Sequence, residues 1–192
     1  MERMIKVLLI AIIVIGLLVG SSLLTTGAYF TDTEESTDNA LVIATETTMT
    51  LLDDGFELEP WDVNWDGNGT TDWRHVNWTT HSGSWAVKCQ SGYTYLTTDN
   101  LDASGGTSIT ISFWFNIKDL NKGPLYVQIY NGTSYNTLHN LFTYPGAVKN
   151  TYCYYSETIT DSQYFCTDFR LRFDGSGSRT DTYIDDVLIT QE

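Results

Sequence analysis

Apolar and polar positions alternate with a period of two through most of the chain beyond Leu51, and no stretch there sustains a 3.6-residue period. Ile109, Ile111, Phe113 and Phe115 point one way, with Thr110, Ser112 and Trp114 on the other face. Leu125, Val127 and Ile129 repeat the pattern, as do Phe169, Leu171 and Phe173 with Arg170 and Arg172 outward. The same reading predicts strands over 73–78, 85–90, 93–97, 108–116, 137–142, 152–159 and 182–190. Clusters of Gly, Asn, Asp and Ser at 102–106, 121–124 and 174–178 break the chain between them. Short strands with no helical signal between them predict an all-β, antiparallel two-sheet jelly-roll sandwich. No internal repeat is visible, which excludes a solenoid or propeller.

The start of the chain follows a different pattern. Arg3 and Lys6 precede an unbroken apolar run over 7–19, and a small, polar tail follows to Ala28. Positive, apolar, then small is the order of an export signal. The apolar run is short for a bilayer span, which needs about 20 residues. Cleavage between Ala28 and Tyr29 is the expectation, with a membrane anchor over 7–26 as the alternative. The chain thus divides into 1–28, a signal peptide or anchor; 29–50, an acidic Thr-rich segment; and 51–192, the sandwich. The apolar patch at 40–44 favours docking of the middle segment as a strand over a flexible stalk. Either fate of the first segment places the sandwich outside the cytoplasm, secreted or at the cell surface.

A formal charge of −14 makes nucleic acid and anionic lipid poor partners, so membrane contact is expected only through an uncleaved N-terminal segment. Six Trp, twelve Tyr and eight Phe with only three Pro indicate an ordered β-rich domain, not an acidic tail. Three cysteines leave at least one without a partner inside a monomer. Cys153 and Cys166, joined by a turn signal at 160–163, are the candidate disulfide, and Cys89 reads as a small apolar core residue. No spacing suggests zinc or redox work. Asn68, Asn77 and Asn131 begin Asn-x-Thr sequons compatible with glycosylation outside the cell.

Two resemblances sharpen this reading. The junction Gly27-Ala-Tyr-Phe-Thr-Asp-Thr-Glu-Glu-Ser36 resembles the start of the TasA and camelysin group of exported proteins. That resemblance implies a dedicated signal peptidase and, for several members, assembly into extracellular fibres. Further along, Asp54-Gly-Phe-Glu57, Trp61, Trp73, His81-Ser-Gly-Ser-Trp-Ala86, Ser112-Phe-Trp-Phe115 and Tyr183-Ile-Asp-Asp-Val-Leu188 resemble MAM domains and jelly-roll carbohydrate-binding modules. It implies a concanavalin-like sandwich, and a structural calcium where the first and last strands lie side by side.

Asp54 and Glu57 with Asp185 or Asp186 are the candidate calcium ligands, completed by carbonyls of the 81–84 turn; the alternative is that Asp185 and Asp186 cap a strand end in water. Alternation sends one of those two aspartates to each face. A second possible metal loop, Asp62, Asn64 and Asp66, fits the DxNxDG opening of a calcium loop, but Trp73 stands where the twelfth-position acid belongs. A hydrophilic hairpin turn is therefore the favoured reading of 62–72. Trp114, Tyr126 and Tyr130, outward beside polar loops, are the candidate sugar-stacking platform. The three His sit near no Ser or Cys elbow and no phosphate-binding glycine loop occurs, so no catalytic residue is named. The sequence points to a non-enzymatic, exported recognition or adhesion module, binding glycan or a cell-surface protein and stabilised by calcium. The alternative is a fibre subunit whose N-terminal segment adds as a strand to copies of itself.

Overall fold

The alternating stretches fold as strands because an extended chain can bury one face of each while the other stays in water. The computed structural model describes residues 47–67, 73–89, 95–175, 177–178 and 180–192. In chain order the strands are β1 (Met49–Asp54), β2 (Trp65–Gly67), β3 (Trp73–Val76), β4 (Ala86–Cys89), β5 (Tyr95–Thr98) and β6 (Ile109–Ile117). They continue with β7 (Tyr126–Asn131), β8 (Tyr135–Asn140), β9 (Tyr152–Ile159), β10 (Phe169–Asp174) and β11 (Thr182–Gln191). The observed elements depart from the periodic reading in several places. The strand expected over 137–142 ends at Asn140, whose side chain accepts from Phe142 N–H and caps a 3-10 turn over Leu141–Thr143. The opening strand stops at Asp54 and does not reach Glu57, since Phe56 takes a left-handed φ of 59°. Part of the stretch expected as a hairpin turn is the short strand β2.

All pairings are antiparallel and form two sheets, β3-β4-β11-β6-β9 and β2-β5-β10-β7-β8. We call them the β11 sheet and the β10 sheet after their central strands. One edge of β11 is shared: β4 pairs with residues 182–184 and β1 with residues 187–191. The register of β11 against β6 slips between Asp185 and Leu188, at the seam between β4 and β1. The β1 ladder runs from Asp54 opposite Val187 to Met49 opposite Gln191.

The inward rows interleave into one core. Phe113 stacks on Tyr155 of the same sheet at 4.5 Å and meets Phe173 of the other edge-on at 4.9 Å. Burying each such ring contributes about 2–3 kcal/mol. Cys89 is fully buried in this cluster, as expected.

Cys153 and Cys166 do not pair with each other. Cys153 stands near the start of β9 opposite Phe115, while Cys166 follows the far end of that strand and lies 3.8 Å from where a Cβ on Gly132 would be. The intervening strand spans about 20 Å, against the roughly 4.4–6.8 Å between Cα atoms that a disulfide allows. A turn brings two cysteines together only where they stand at matching distances on either side of it, and Cys153 stands much farther from the 160–163 turn than Cys166 does. The expected cleavage site Ala28–Tyr29, the 40–44 patch and the sequon at Asn68 lie outside the described residues. Met49 and Thr50, the end of the acidic segment, belong to β1 and pair with the domain's own β11.

Candidate functional site

The seam on β11 gathers three of the four acids read as calcium ligands, Glu57, Asp185 and Asp186. The turn before β4 lies over the outer face of the β11 sheet, and three carboxylates hold it. Asp185 is fully buried; its Oδ2 accepts from the N–H of His81 at 2.7 Å and of Ser82 at 3.3 Å, and its Oδ1 from Asp186 N–H at 2.9 Å. Asp186 contacts His81 Nδ1 at 2.6 Å and accepts from Ser82 Oγ at 2.6 Å. Glu57 accepts from the N–H of Ser84 and Trp85 at 2.9 and 2.8 Å. Gly83 is required here: its φ is 54°, and a Cβ would stand 2.3 Å from Glu57 Oε1.

Alternation does not separate the two aspartates as expected. Asp186 sits at the register slip with φ 50°, so both side chains face the same turn. Burial pushes the Asp185 carboxyl up to about 6, helped by the Asp186 charge and opposed by the three amide donors. Asp54 is drawn elsewhere: it accepts from Phe56 N–H at 2.8 Å and from the Trp65 indole at 2.9 Å. The turn presents N–H donors to the acids where carbonyls had been expected, and N–H or O–H donors engage all four carboxylates. Among the described residues no three His, Cys, Asp or Glu gather as a metal-holding group. The arrangement is that of a clamp on a turn.

The clamped turn changes the fate of Trp114. His81 stacks on its ring at 3.8 Å and 11°, Tyr154 flanks it at 5.1 Å, and Tyr152 Oη donates to Thr79 C=O at 3.1 Å. Trp114 thus lies on the β11 sheet with one ring face covered. Tyr126 and Tyr130 are on β7 of the β10 sheet, so the expected platform is divided between opposite faces of the sandwich. Outward position is legible from alternation, but sheet membership is not.

Tyr130, but not Tyr126, joins a row of side chains on the outer face of the β10 sheet. Tyr130 and Tyr135 lie 4.8 Å apart. The guanidinium of Arg172 sits 3.5 Å from the Tyr135 ring centre and 5.0 Å from that of Tyr95, and Arg170 lies 5.6 Å from Tyr130. Arg172 Nε donates to Gln128 Oε1 at 2.8 Å, and Gln128 Nε2 donates to Thr137 Oγ1 at 3.1 Å, extending the row across neighbouring strands. All of these side chains keep partial exposure, unlike Asp185 and Tyr183 on the opposite face. Tyr95, Gln128 and Tyr135 were missed in the sequence; only their outward positions in alternating strands signalled them. Such a surface offers flat apolar faces for stacking with hydrogen-bonding groups between them.

The other candidates stay separate. Asn64 Nδ2 donates to Asp54 at 3.3 Å, Asp62 C=O accepts from Trp65 N–H, and Asp66 is exposed in β2, so the second possible metal loop does not close around one point. Asn77 is exposed. Asn131 spends its side chain on the β7–β8 turn, accepting from Thr133 and Ser134 N–H and donating to Gln163.

No family model and no curated protein matches this chain. Solved structures do match. The CBM22-1 xylan-binding domain of Paenibacillus barcinonensis Xyn10C aligns with TM-score 0.56 and 11% identity over 77% of this chain and 97% of that one. The C-terminal family 22 carbohydrate binding module of Clostridium thermocellum Xyn10B gives 0.54 and 13%, over 74% and 92%. The K3 cleaved adhesin domain of Lys-gingipain from Porphyromonas gingivalis gives 0.50 and 17%, over 76% and 100%. At such identities the likeness is one of fold: this chain is a jelly-roll sandwich with the architecture of carbohydrate-binding modules. None of these matches supports the resemblance of residues 27–36 to TasA and camelysin.

Proposed function

We propose that this domain is a non-enzymatic recognition module that works outside the cell and binds glycan chains on the outer face of the β10 sheet. The carrying observation is the partly exposed row of Tyr95, Arg172, Gln128, Tyr130 and Tyr135, which combines ring faces with fixed donors and acceptors. Sugars present apolar C–H faces and equatorial hydroxyls, and this row complements both. The opposite sheet offers less, because the His81 turn covers Trp114 and buries Asp185. The likeness of fold to xylan-binding and adhesin domains supports the same reading.

Affinity electrophoresis against a panel of plant, fungal and bacterial polysaccharides tests it. Retardation by at least one polymer is expected. Tyr130→Ala and Tyr135→Ala should each weaken binding about tenfold, while Trp114→Ala leaves it unchanged. Absence of retardation on the whole panel, or loss of binding in the Trp114 variant alone, would refute the assignment.

A further inference from the structure

Arginine placement narrows the ligand class, on the premise that the β10 face binds glycan. The chain has a net charge of −14 and only ten basic residues, five of them arginine. Two of those five, Arg170 and Arg172, project outward from β10, the central strand of the face, about 7 Å apart along it. They are not equivalent. Arg170 Nε is bonded to Asp168 Oδ1 at 2.8 Å, which neutralises its charge locally. Arg172 Nε is held by the neutral amide of Gln128, and among the described residues Arg172 makes no ion pair.

Tyr135, Tyr95 and Gln128 nevertheless fix the Arg172 plane, so a full positive charge is oriented at the middle of the sheet. Asp174 is the next outward residue of β10, at the end of the strand, and Asp66 lies two strands away on β2, so these acids border the row. We propose that the bound glycan is anionic, a polymer of uronic-acid units, and that Arg172 pairs with a uronate carboxylate.

The chemistry favours this over a neutral chain. A guanidinium matches a carboxylate through two parallel N–H···O bonds, and an oriented one loses little rotamer freedom in making them. Neutral hydroxyls would be served as well by amides, which carry no penalty when a charge is desolvated under a sugar. The domain's overall negative charge does not forbid such a ligand, because repulsion beyond about 8 Å is screened at physiological ionic strength while the pair acts at contact.

Titration calorimetry with polygalacturonate, its fully methyl-esterified form and neutral xylan distinguishes the outcomes. The first two share a backbone and differ in charge. Binding at least about tenfold tighter to the acid than to its ester is expected. Arg172→Gln and Arg172→Lys should both erase that difference, the second because it keeps the charge and loses the planar fork. Arg74→Gln, which removes the same charge from β3 on the other sheet, should leave it intact. Near-ultraviolet dichroism checks that each variant is folded. Equal affinity for acid and ester, or preference for xylan, overturns the anionic ligand while glycan binding stands. Failure on all three polymers and on the wider panel overturns both. Survival of the acid preference in the Lys variant overturns the role of Arg172 as a planar partner.

Discussion

Gly83→Ala tests how the turn over the β11 sheet is held. Two separate penalties meet at that residue. Alanine in the left-handed region, at the φ of 54° found here, costs about 1–2 kcal/mol. Its Cβ would also stand 2.3 Å from Glu57 Oε1 and 2.6 Å from Glu57 Cδ, so the carboxylate must leave the amides of Ser84 and Trp85. Glu57 is solvent-exposed, which keeps the loss of those bonds to about 1–1.5 kcal/mol. Together the substitution should destabilise by about 2–3.5 kcal/mol, a fall in melting temperature of roughly 6–10 °C for a domain of this size. Glu57→Ala alone should cost about 1–1.5 kcal/mol. In the double variant the carboxylate is already gone, so only the backbone penalty adds to it. The pair should therefore fall short of additivity by about 1 kcal/mol or more, against the roughly 0.3–0.5 kcal/mol within which independent sites add. Urea denaturation of the four proteins measures the cycle. Additive effects would mean that Glu57 does not clamp the turn.

The buried Asp185 gives a pH signature. Its folded value of about 6 lies above the ordinary 3.8, so between roughly pH 4 and 6 the folded state keeps a proton that the unfolded chain has lost. Stability from this group is complete below pH 4 and falls as the pH rises, by about 3 kcal/mol when both states are ionised; identical pH slopes for wild type and Asp185→Asn in urea midpoints would sink this. Denatured without reductant, the chain should expose three reactive thiols to a colorimetric reagent, and a count of one would restore a Cys153–Cys166 bridge. Chelation decides the calcium proposal: with the seam carboxylates engaged by N–H and O–H donors, the melting temperature is expected not to change, and a fall reversed by added calcium would establish calcium there.

The core strands were legible because a two-residue period survives wherever one face is buried, as in 109–117 and 169–174. The outward positions of Arg170 and Arg172 came with it. What alternation cannot carry is which strands share a sheet, since that depends on long-range pairing. For this reason Trp114 was grouped with Tyr126 and Tyr130 although a whole core lies between them. The aspartates failed for a local reason: the irregularity at Asp186 interrupts the period at the one place where it was used to assign faces. Glu57, Asp185 and Asp186 lie around one turn, each engaged by N–H or O–H donors, while Asp54 is held by Phe56 and Trp65. β2 was missed because three residues are too few to show a period.

The β1–β11 ladder also decides how the domain responds to pulling. Met49 and Gln191 are cross-strand neighbours, so a force that draws these two ends apart opens the rungs one after another toward Asp54 and Val187. Such peeling meets little resistance. On the proposed function, tension between Met49 and a glycan on the opposite sheet would instead cross the ladder and the packed core together. A tether at the N-terminal side would make the module mechanically directional: compliant to its own chain, stiff to the proposed ligand.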